Sequence, residues 1–423
     1  MNRDTASPPF DADVLIVGAG PAGLALAAAL ADIGLAPLLL EQQPLAALEQ
    51  PADDGRDIAI THRARQLMQE LGLWERLPAA QISPLREARV LDGDDRSSRL
   101  GFRSPEVEAL GWLIPNHCIR AAALAAARAR PAVRLRCEAR VSGLVREADG
   151  ARLSLVDAQG RSETLRAPLV VAADSRFSQL RRLAGIAAAM RDFGRSVVVG
   201  RVAHERDHQG IAWECFRYGN TLALLPMNGG QCSAVVTVAS DQVPDWLGLD
   251  DAAFAARIQA QAGAQLGAVQ AAGPRHHYPL VGVYAQRFAA SRFALVGDAA
   301  VGMHPVTAHG WNFGLYGIQR LAAELQALLR QGRSLHDGPA LDAALQRYAA
   351  AHRRQTLPVY LGTNLVVSLF TDERGPARQA RRALLDIVER VPPVAAVVKS
   401  AIVAQLTGRG GLGGLSGLSA RLR

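Results

Sequence analysis

Apolar residues run together at four short places in the chain: 14–17, 36–40, 169–173 and 293–296. Unbroken runs of this length predict strands buried on both faces of a parallel sheet. Helical periodicity follows the first run and returns over 61–71, 116–130, 251–268, 310–330, 338–370, 376–390 and 394–406. Residues 80–115 predict short strands. Residues 134–173 predict strands joined by turns at Asp149-Gly150 and Gln159-Gly160. Over 195–238 the pattern changes to successive strands at 196–202, 211–218, 222–227 and 233–238, with turns at Gly219-Asn220 and Asn228-Gly229-Gly230. That implies an antiparallel sheet in a second lobe. Residues 42–57 predict a loop, and 408–423, rich in glycine and serine, a disordered tail.

A chain of 423 residues suggests two or three domains. The hydrophobic share of 49% and charged share of 20% are those of an ordinary globular protein. The net charge is +8, and Lys399 is the sole lysine, so the cation is almost all arginine. Such a balance reads either as composition bias on a solvated surface or as attraction to an anionic partner, and of the partners a membrane face fits better than nucleic acid, since no nucleic-acid motif is present. Residues 1–11 lack an apolar signal core, and no run of 18 uncharged apolar residues predicts a membrane span. Cys118, Cys137, Cys215 and Cys232 are scattered without metal spacing and predict reduced thiols.

The first apolar run opens into Gly18-x-Gly20-x-x-Gly23, with Pro21 starting the helix that follows. Gly18 allows a tight turn, Gly20 lets backbone approach a pyrophosphate, and Gly23 lets helix and strand pack closely. The free N–H groups of that helix face the phosphates. Glu41 ends the second run at the spacing of a carboxylate that binds a ribose hydroxyl. The third and fourth runs likewise end in acids, Asp174 and Asp298. After Asp298 come His304-Pro305 and Gly310-Trp311-Asn312.

These motifs, in this order, resemble the single-component flavin-dependent aromatic hydroxylases over about residues 12–370. The resemblance implies an α/β fold: a Rossmann-like FAD-binding domain, an inserted antiparallel-sheet substrate domain and a helical C-terminal region. It implies FAD-binding segments at 12–80, 110–180 and 286–330, substrate-binding segments at 81–109 and 181–285, C-terminal helices at 331–407, and disordered ends at 1–11 and 408–423. Gly18, Gly20, Gly23 and Glu41 match the family's ADP-binding turn. Arg56 resembles the arginine near the flavin, Arg120 a residue on the pyrophosphate, and Val141 the backbone beside adenine. Asp174 matches the central acid and Asp298 the acid on the ribityl chain. Pro305, Gly310 and Asn312 match the segment beside the isoalloxazine. Ser175 replaces the glycine of the usual central D-G pair, and Ala308-His309 replaces the G-Q of the usual G-Q-G-x-N.

Within that family, Gly302-Met303-His304-Pro305 and the stretch 363–370 resemble the ubiquinone-biosynthesis hydroxylases. The longer run 302–310 resembles their UbiM branch, whose members hydroxylate more than one ring position. The implied reaction is hydroxylation of a polyprenylated phenol or benzoquinol through a flavin C4a-hydroperoxide, with molecular oxygen as co-substrate and NADH or NADPH as electron donor. His304 and His309, beside Pro305, are the candidates for orienting the phenol or moving its proton. His276-His277 at a strand start reads as structural. Two alternatives stand: a hydroxylase of a soluble aromatic acid, and a non-catalytic flavin-bearing assembly factor. The expected setting is cytoplasmic and peripheral at the inner membrane face, with other ubiquinone-biosynthesis proteins as partners. The apolar stretch 394–406 is too short to span a bilayer and reads as a core or partner-facing helix, or as an interfacial anchor.

Overall fold

The computed structural model describes residues 10–92, 99–216, 220–303 and 310–371, with a few single positions between 374 and 407. The four apolar runs become adjacent strands. A six-stranded sheet runs in the order Ala289–Ala290, Phe293–Leu295, Leu169–Ala172, Val14–Val17, Pro37–Leu40, Arg134–Arg136. All pairs are parallel except the first, an antiparallel edge. Val14, Leu15, Ile16 and Leu39 are fully buried, as a sheet covered on both faces requires.

Register then decides the geometry. Val17 stands level with Leu40 and with Ala172, which in turn pairs with Leu295. The residues that follow each strand therefore leave the sheet at one carboxyl edge. Helix Pro21–Asp32 covers this sheet with a nearly continuous alanine and leucine surface, buried from Gly23 to Leu30. Helix Gly310–Arg330 packs beside it.

The second layer is a nine-stranded sheet assembled from strands between residues 87 and 302. It differs from expectation in three ways. Its central strand runs over Ala188–His204, longer than the 196–202 expected, because it pairs in turn with His276–Ala285 and Gln231–Ala239. It is not wholly antiparallel: Ile211–Phe216 lies parallel to Glu87–Asp92. Val301–Gly302, beyond the short turn that carries Asp298, returns to pair with Val283 and Tyr284. Its outer face is covered by helix Asp251–Ala262, which stops short of the expected 268 because Gly263 takes φ +70°. The stretch 42–57 is not all loop; Leu45–Glu49 is a short helix. Three antiparallel strands, Asp57–Ile60, Gly111–Pro115 and Ser83–Leu85, bridge the two layers. Phe10 and Asp11 are ordered, with Asp11 accepting from Arg166 N at 2.7 Å. The expected helices at 376–390 and 394–406 lie outside the described residues.

None of the four cysteines is in a disulfide, and burial pushes the Cys232 thiol up to about 12. Helix Gly338–Thr371 buries His352 at 2% exposure, stacked on Tyr348 at 5.9 Å and wedged against Gly317. Burial, then the nearby charge of Arg63, lowers the imidazole from 6.5 to about 4. The unfolded chain therefore binds a proton between those values that the folded chain refuses. Stability is full above about pH 6.5 and falls as pH drops toward 4, by about 3 kcal/mol in all. Thermal melts of wild type and His352→Phe between pH 7 and 4.5 check this: the variant should lose the His352 share of the slope.

Candidate active site

The glycine turn is built by close approach. A Cβ on Gly23 would sit 1.9 Å from the Gly18 carbonyl oxygen. Gly18 itself takes φ +101°, and a Cβ there would meet Ala173 O at 2.6 Å. At Gly20, by contrast, a Cβ would meet nothing within 4 Å. Backbone is crowded where helix meets strand and open where the helix N-terminus faces out, which is the cradle a pyrophosphate needs.

The strand-end acids surround this opening. Glu41 accepts from Ala19 N at 2.8 Å and from Gln43 N at 2.9 Å, so its carboxylate is locked to the glycine turn. Asp174 accepts from Leu180 N at 3.2 Å, while its Oδ1 is buried without a protein partner. Asp298 follows Gly297, whose φ of +58° aims the short 3-10 turn back across helix Pro21–Asp32 beside Ala22. Its Oδ2 accepts from Arg176 Nη2 at 3.1 Å. Arg176 follows Asp174 by two residues but was not singled out from the sequence, because a lone arginine after a strand carries no pattern.

Arg56 lies in a second cluster. It donates to Asp54 Oδ2 from Nε at 3.1 Å and from Nη2 at 2.5 Å. Asn116 Nδ2 donates to the same oxygen at 2.7 Å. Burial works against the Asp54 charge, but the Arg56 hydrogen bond and charge and the Asn116 bond outweigh it, and the carboxyl is held below its usual range. The Tyr278 hydroxyl donates to Asp54 O at 2.5 Å, and Arg56 stands 5.2 Å from the Tyr278 ring centroid. His276 packs against Gly55. Strand His276–Ala285 thus places its first residues against the Arg56 loop, a contact invisible in sequence. Arg120 is one helical turn beyond Asn116 on Asn116–Arg128 and is partly exposed.

Deeper between the layers, Arg201 Nη2 donates to Asp57 Oδ1 at 2.9 Å. Asp57 has no exposed side chain, and burial pushes its carboxyl above the usual range although Arg201 pulls it down. Asn312 is fully buried. Its Oδ1 accepts from Thr61 N at 3.0 Å and its Nδ2 donates to Ala59 O at 2.8 Å. Its amide thus ties helix Gly310–Arg330 to strand Asp57–Ile60. Gly310, at that helix's first turn, has open space where a Cβ would be. Val141 is buried on strand Ala139–Arg146. His304, Pro305 and His309 lie outside the described residues.

The profile of a family described as an FAD binding domain matches residues 11–351. The chain is 40% identical over 403 residues to a ubiquinone hydroxylase UbiM of Neisseria meningitidis, covering 94% of this chain and 84% of that protein. This chain belongs to the FAD-dependent ubiquinone hydroxylase family. A ubiquinone hydroxylase UbiL of Rhodospirillum rubrum is 38% identical, with 90% and 87% covered. In fold, the chain matches a p-nitrophenol 4-monooxygenase from Pseudomonas putida with a TM-score of 0.74 at 18% identity, covering 95% of this chain and 99% of that one. The family is one of FAD-binding monooxygenases, so the open cradle at Gly20 and the buried, unpartnered Asp174 Oδ1 are features that FAD fits. Among the described residues no cluster of His, Cys, Asp and Glu has the form of a metal site.

The glycine turn carries a direct expectation. Gly23→Ala drives a methyl into the Gly18 carbonyl, so helix and strand must separate at a cost of about 1–3 kcal/mol. The purified variant should melt lower and lose its flavin on gel filtration; a variant as yellow and as stable as wild type would contradict the packing described.

Proposed function

We propose that the protein hydroxylates the ring of a polyprenylated phenol or benzoquinol, with oxygen as co-substrate and NADH or NADPH as reductant. The substrate class comes from the named activities of relatives, among them a 3-demethoxyubiquinol 3-hydroxylase of Escherichia coli, 28% identical over 89% of this chain. The structural observation that carries the reading is the face of the nine-stranded sheet turned toward Arg56 and Asp57. Around Val197, Val199, Leu280 and Val235 that face is apolar. Arg201, in the middle of it, is already paired with Asp57, which disfavours a substrate carboxylate and hence the soluble aromatic acid.

Bound FAD supplies the activation of oxygen that the side chains lack. The protein positions it. In this reading Gly18, Gly20, Gly23 and Glu41 hold the ADP half, with Val141 near adenine and Arg120 on the pyrophosphate. Asp174 and Asp298 hold the chain toward the flavin ring. Arg56 lies near the ring, and Gly310 and Asn312 present the N–H groups of a helix N-terminus to its negative edge. Asn312 does so through its backbone, since its side chain is spent on Thr61 and Ala59. His304, Pro305 and His309 would border the reacting ring. The apolar sheet face around Val197, Val199, Leu280 and Val235 would exclude water, which oxygen chemistry supplied by bound FAD requires. The same reading divides the chain into the FAD-binding, substrate-binding and C-terminal segments given above.

No helix among the described residues is long and apolar enough to cross a membrane. A polyprenyl tail still has to leave a bilayer, and the +8 charge favours contact with an anionic surface. Full-length protein should float with anionic liposomes at low salt and release as salt screens the charge.

Incubation with a short-chain prenylphenol, oxygen and each nicotinamide should yield a product heavier by one oxygen atom. Anaerobic mixing without oxygen should bleach the flavin with the true donor. No product with either nicotinamide would sink the reading unless a protein reductant restores it. Asp298→Ala should cost about 1.5–3 kcal/mol of FAD affinity, and Glu41→Ala should weaken FAD while leaving the flavin spectrum intact. Fluorescence titration of the apoproteins with FAD measures both.

A further inference from the structure

Strand pairing places one carboxyl on the sheet face that looks toward Arg56. Directly paired residues share a face, and the pairs can be followed strand by strand. Tyr278 pairs with Val197, and Val199, two residues on, pairs with Val235. Val235 pairs with Ala223, Ala223 with Glu214, and Glu214 with Val90. Glu214 therefore lies on the same face as Tyr278, whose hydroxyl reaches the Arg56 loop. Its neighbours on the strand, Trp213 and Cys215, point the other way into the core under helix Asp251–Ala262.

The surroundings of Glu214 are apolar. Val90 and Ala88 belong to a small cluster with Leu100, Phe102 and Val403 of the C-terminal segment. On the other side, the next strand, Thr221–Met227, leads into Asn228, whose N–H donates to Ser83 in the bridging sheet that also carries Asp57. Glu214 thus lies between the strand that leads to the bridging sheet and the apolar cluster of Leu100, Phe102 and Val403. It is deep in the protein yet keeps part of its surface accessible. No hydrogen bond or ion pair reaches it among the described residues. The facing strand Thr221–Met227 carries no titratable side chain. On Gln231–Ala239 the one such group, Cys232, is turned into the opposite core. On the paired strand Glu87–Asp92, Glu87 and Arg89 bind each other and by register lie on the opposite face with Ile211 and Trp213, while Asp92, opposite Phe216, falls on the Glu214 face. Arg201 on this face is paired with Asp57. Burial alone raises the Glu214 carboxyl to about 7.

Glu214 is thus an acceptor that no described side chain uses, set among apolar neighbours and open enough to be reached. We propose that Glu214 receives the ring hydroxyl of the phenolic substrate, accepting its hydrogen bond and then its proton. In that step the phenol O–H bond gives its proton to a Glu214 carboxylate oxygen. The carboxylate becomes a carboxylic acid, and the O–H electron pair stays on the phenolate, enriching the ring positions beside it. The inference rests on the phenolic substrate proposed above and assigns the residue that reads its hydroxyl.

The test uses the FAD-loaded full chain, 2-prenylphenol, and its methyl ether, which has the same shape and no proton to give. Binding is measured by calorimetry without a reductant. At pH 8 the wild type should bind the phenol about tenfold tighter than the ether, the worth of one charge-assisted hydrogen bond. That preference should shrink as pH falls through about 7. Glu214→Gln should bring the ratio near unity and flatten its pH dependence, with FAD content and ether affinity unchanged. Glu214→Leu, which removes all polarity at this position, should give the same loss by a second route. A phenol preference that survives both variants overturns the assignment while leaving the phenolic substrate standing. Failure of the wild type to bind either compound overturns both.

Discussion

The site depends on one close contact, the Gly23 Cα against the Gly18 carbonyl, where no side chain fits. That contact fixes how near helix Pro21–Asp32 lies to its strand, and so where its free N–H groups point. Parallel register does the rest. With Val17 beside Leu40 and Ala172, three further strand ends deliver Glu41, Asp174 and Asp298 around the same opening. The acids are then tied to backbone or to arginine: Glu41 to Ala19, Asp174 to Leu180, Asp298 to Arg176. Each tie orients a carboxylate without using all of its acceptor sites, so lone pairs remain for the ribose and ribityl hydroxyls that the proposed reading assigns to them.

The second constraint is the joint between layers. Charged groups make it, at places where an unpaired charge would be expensive. Arg201 meets Asp57, and the Tyr278 hydroxyl closes on the carbonyl of Asp54, whose carboxylate Arg56 holds within the same loop. Asn312 adds a neutral tie across Thr61 and Ala59. These contacts set the apolar sheet face at a definite height over the loop that carries Arg56. A hydroxylase needs that, because a ring held loosely near activated oxygen leaves room for water. The polar groups therefore specify position, and the apolar ones supply the dry environment.

Much of this was legible along the chain. Unbroken apolar runs gave the parallel strands, and three glycines with three strand-end acids gave the tight turn and the carboxylates that register brings beside it, because each is a local pattern with a local cause. Helix 61–71 was equally plain, and Thr61 caps it by accepting from Ala64 N at 3.1 Å. The exceptions are instructive. Leu45–Glu49 was hidden because a short helix between prolines has too few turns to show a period. The true length of Ala188–His204 was hidden because its first half, through Met190 and Arg191, is polar or exposed and is a strand only through pairing with His276–Ala285.

The chain by itself determined the cofactor half of the protein: strand, glycine turn, helix and acid succeed one another within short spans, so their chemistry can be read in order. Tertiary structure alone decided what that half faces. The parallel pairing of Ile211–Phe216 with Glu87–Asp92 joins segments more than a hundred residues apart in sequence. Glu214 gains its meaning only from that pairing and the one across to Ala223, since nothing in the local run Trp213-Glu214-Cys215 marks the glutamate from any other on an alternating strand. Arg176 finds Asp298, and Arg201 finds Asp57, for the same reason. Local sequence sets which way a side chain points on its own strand, and only the packed sheet sets what lies opposite.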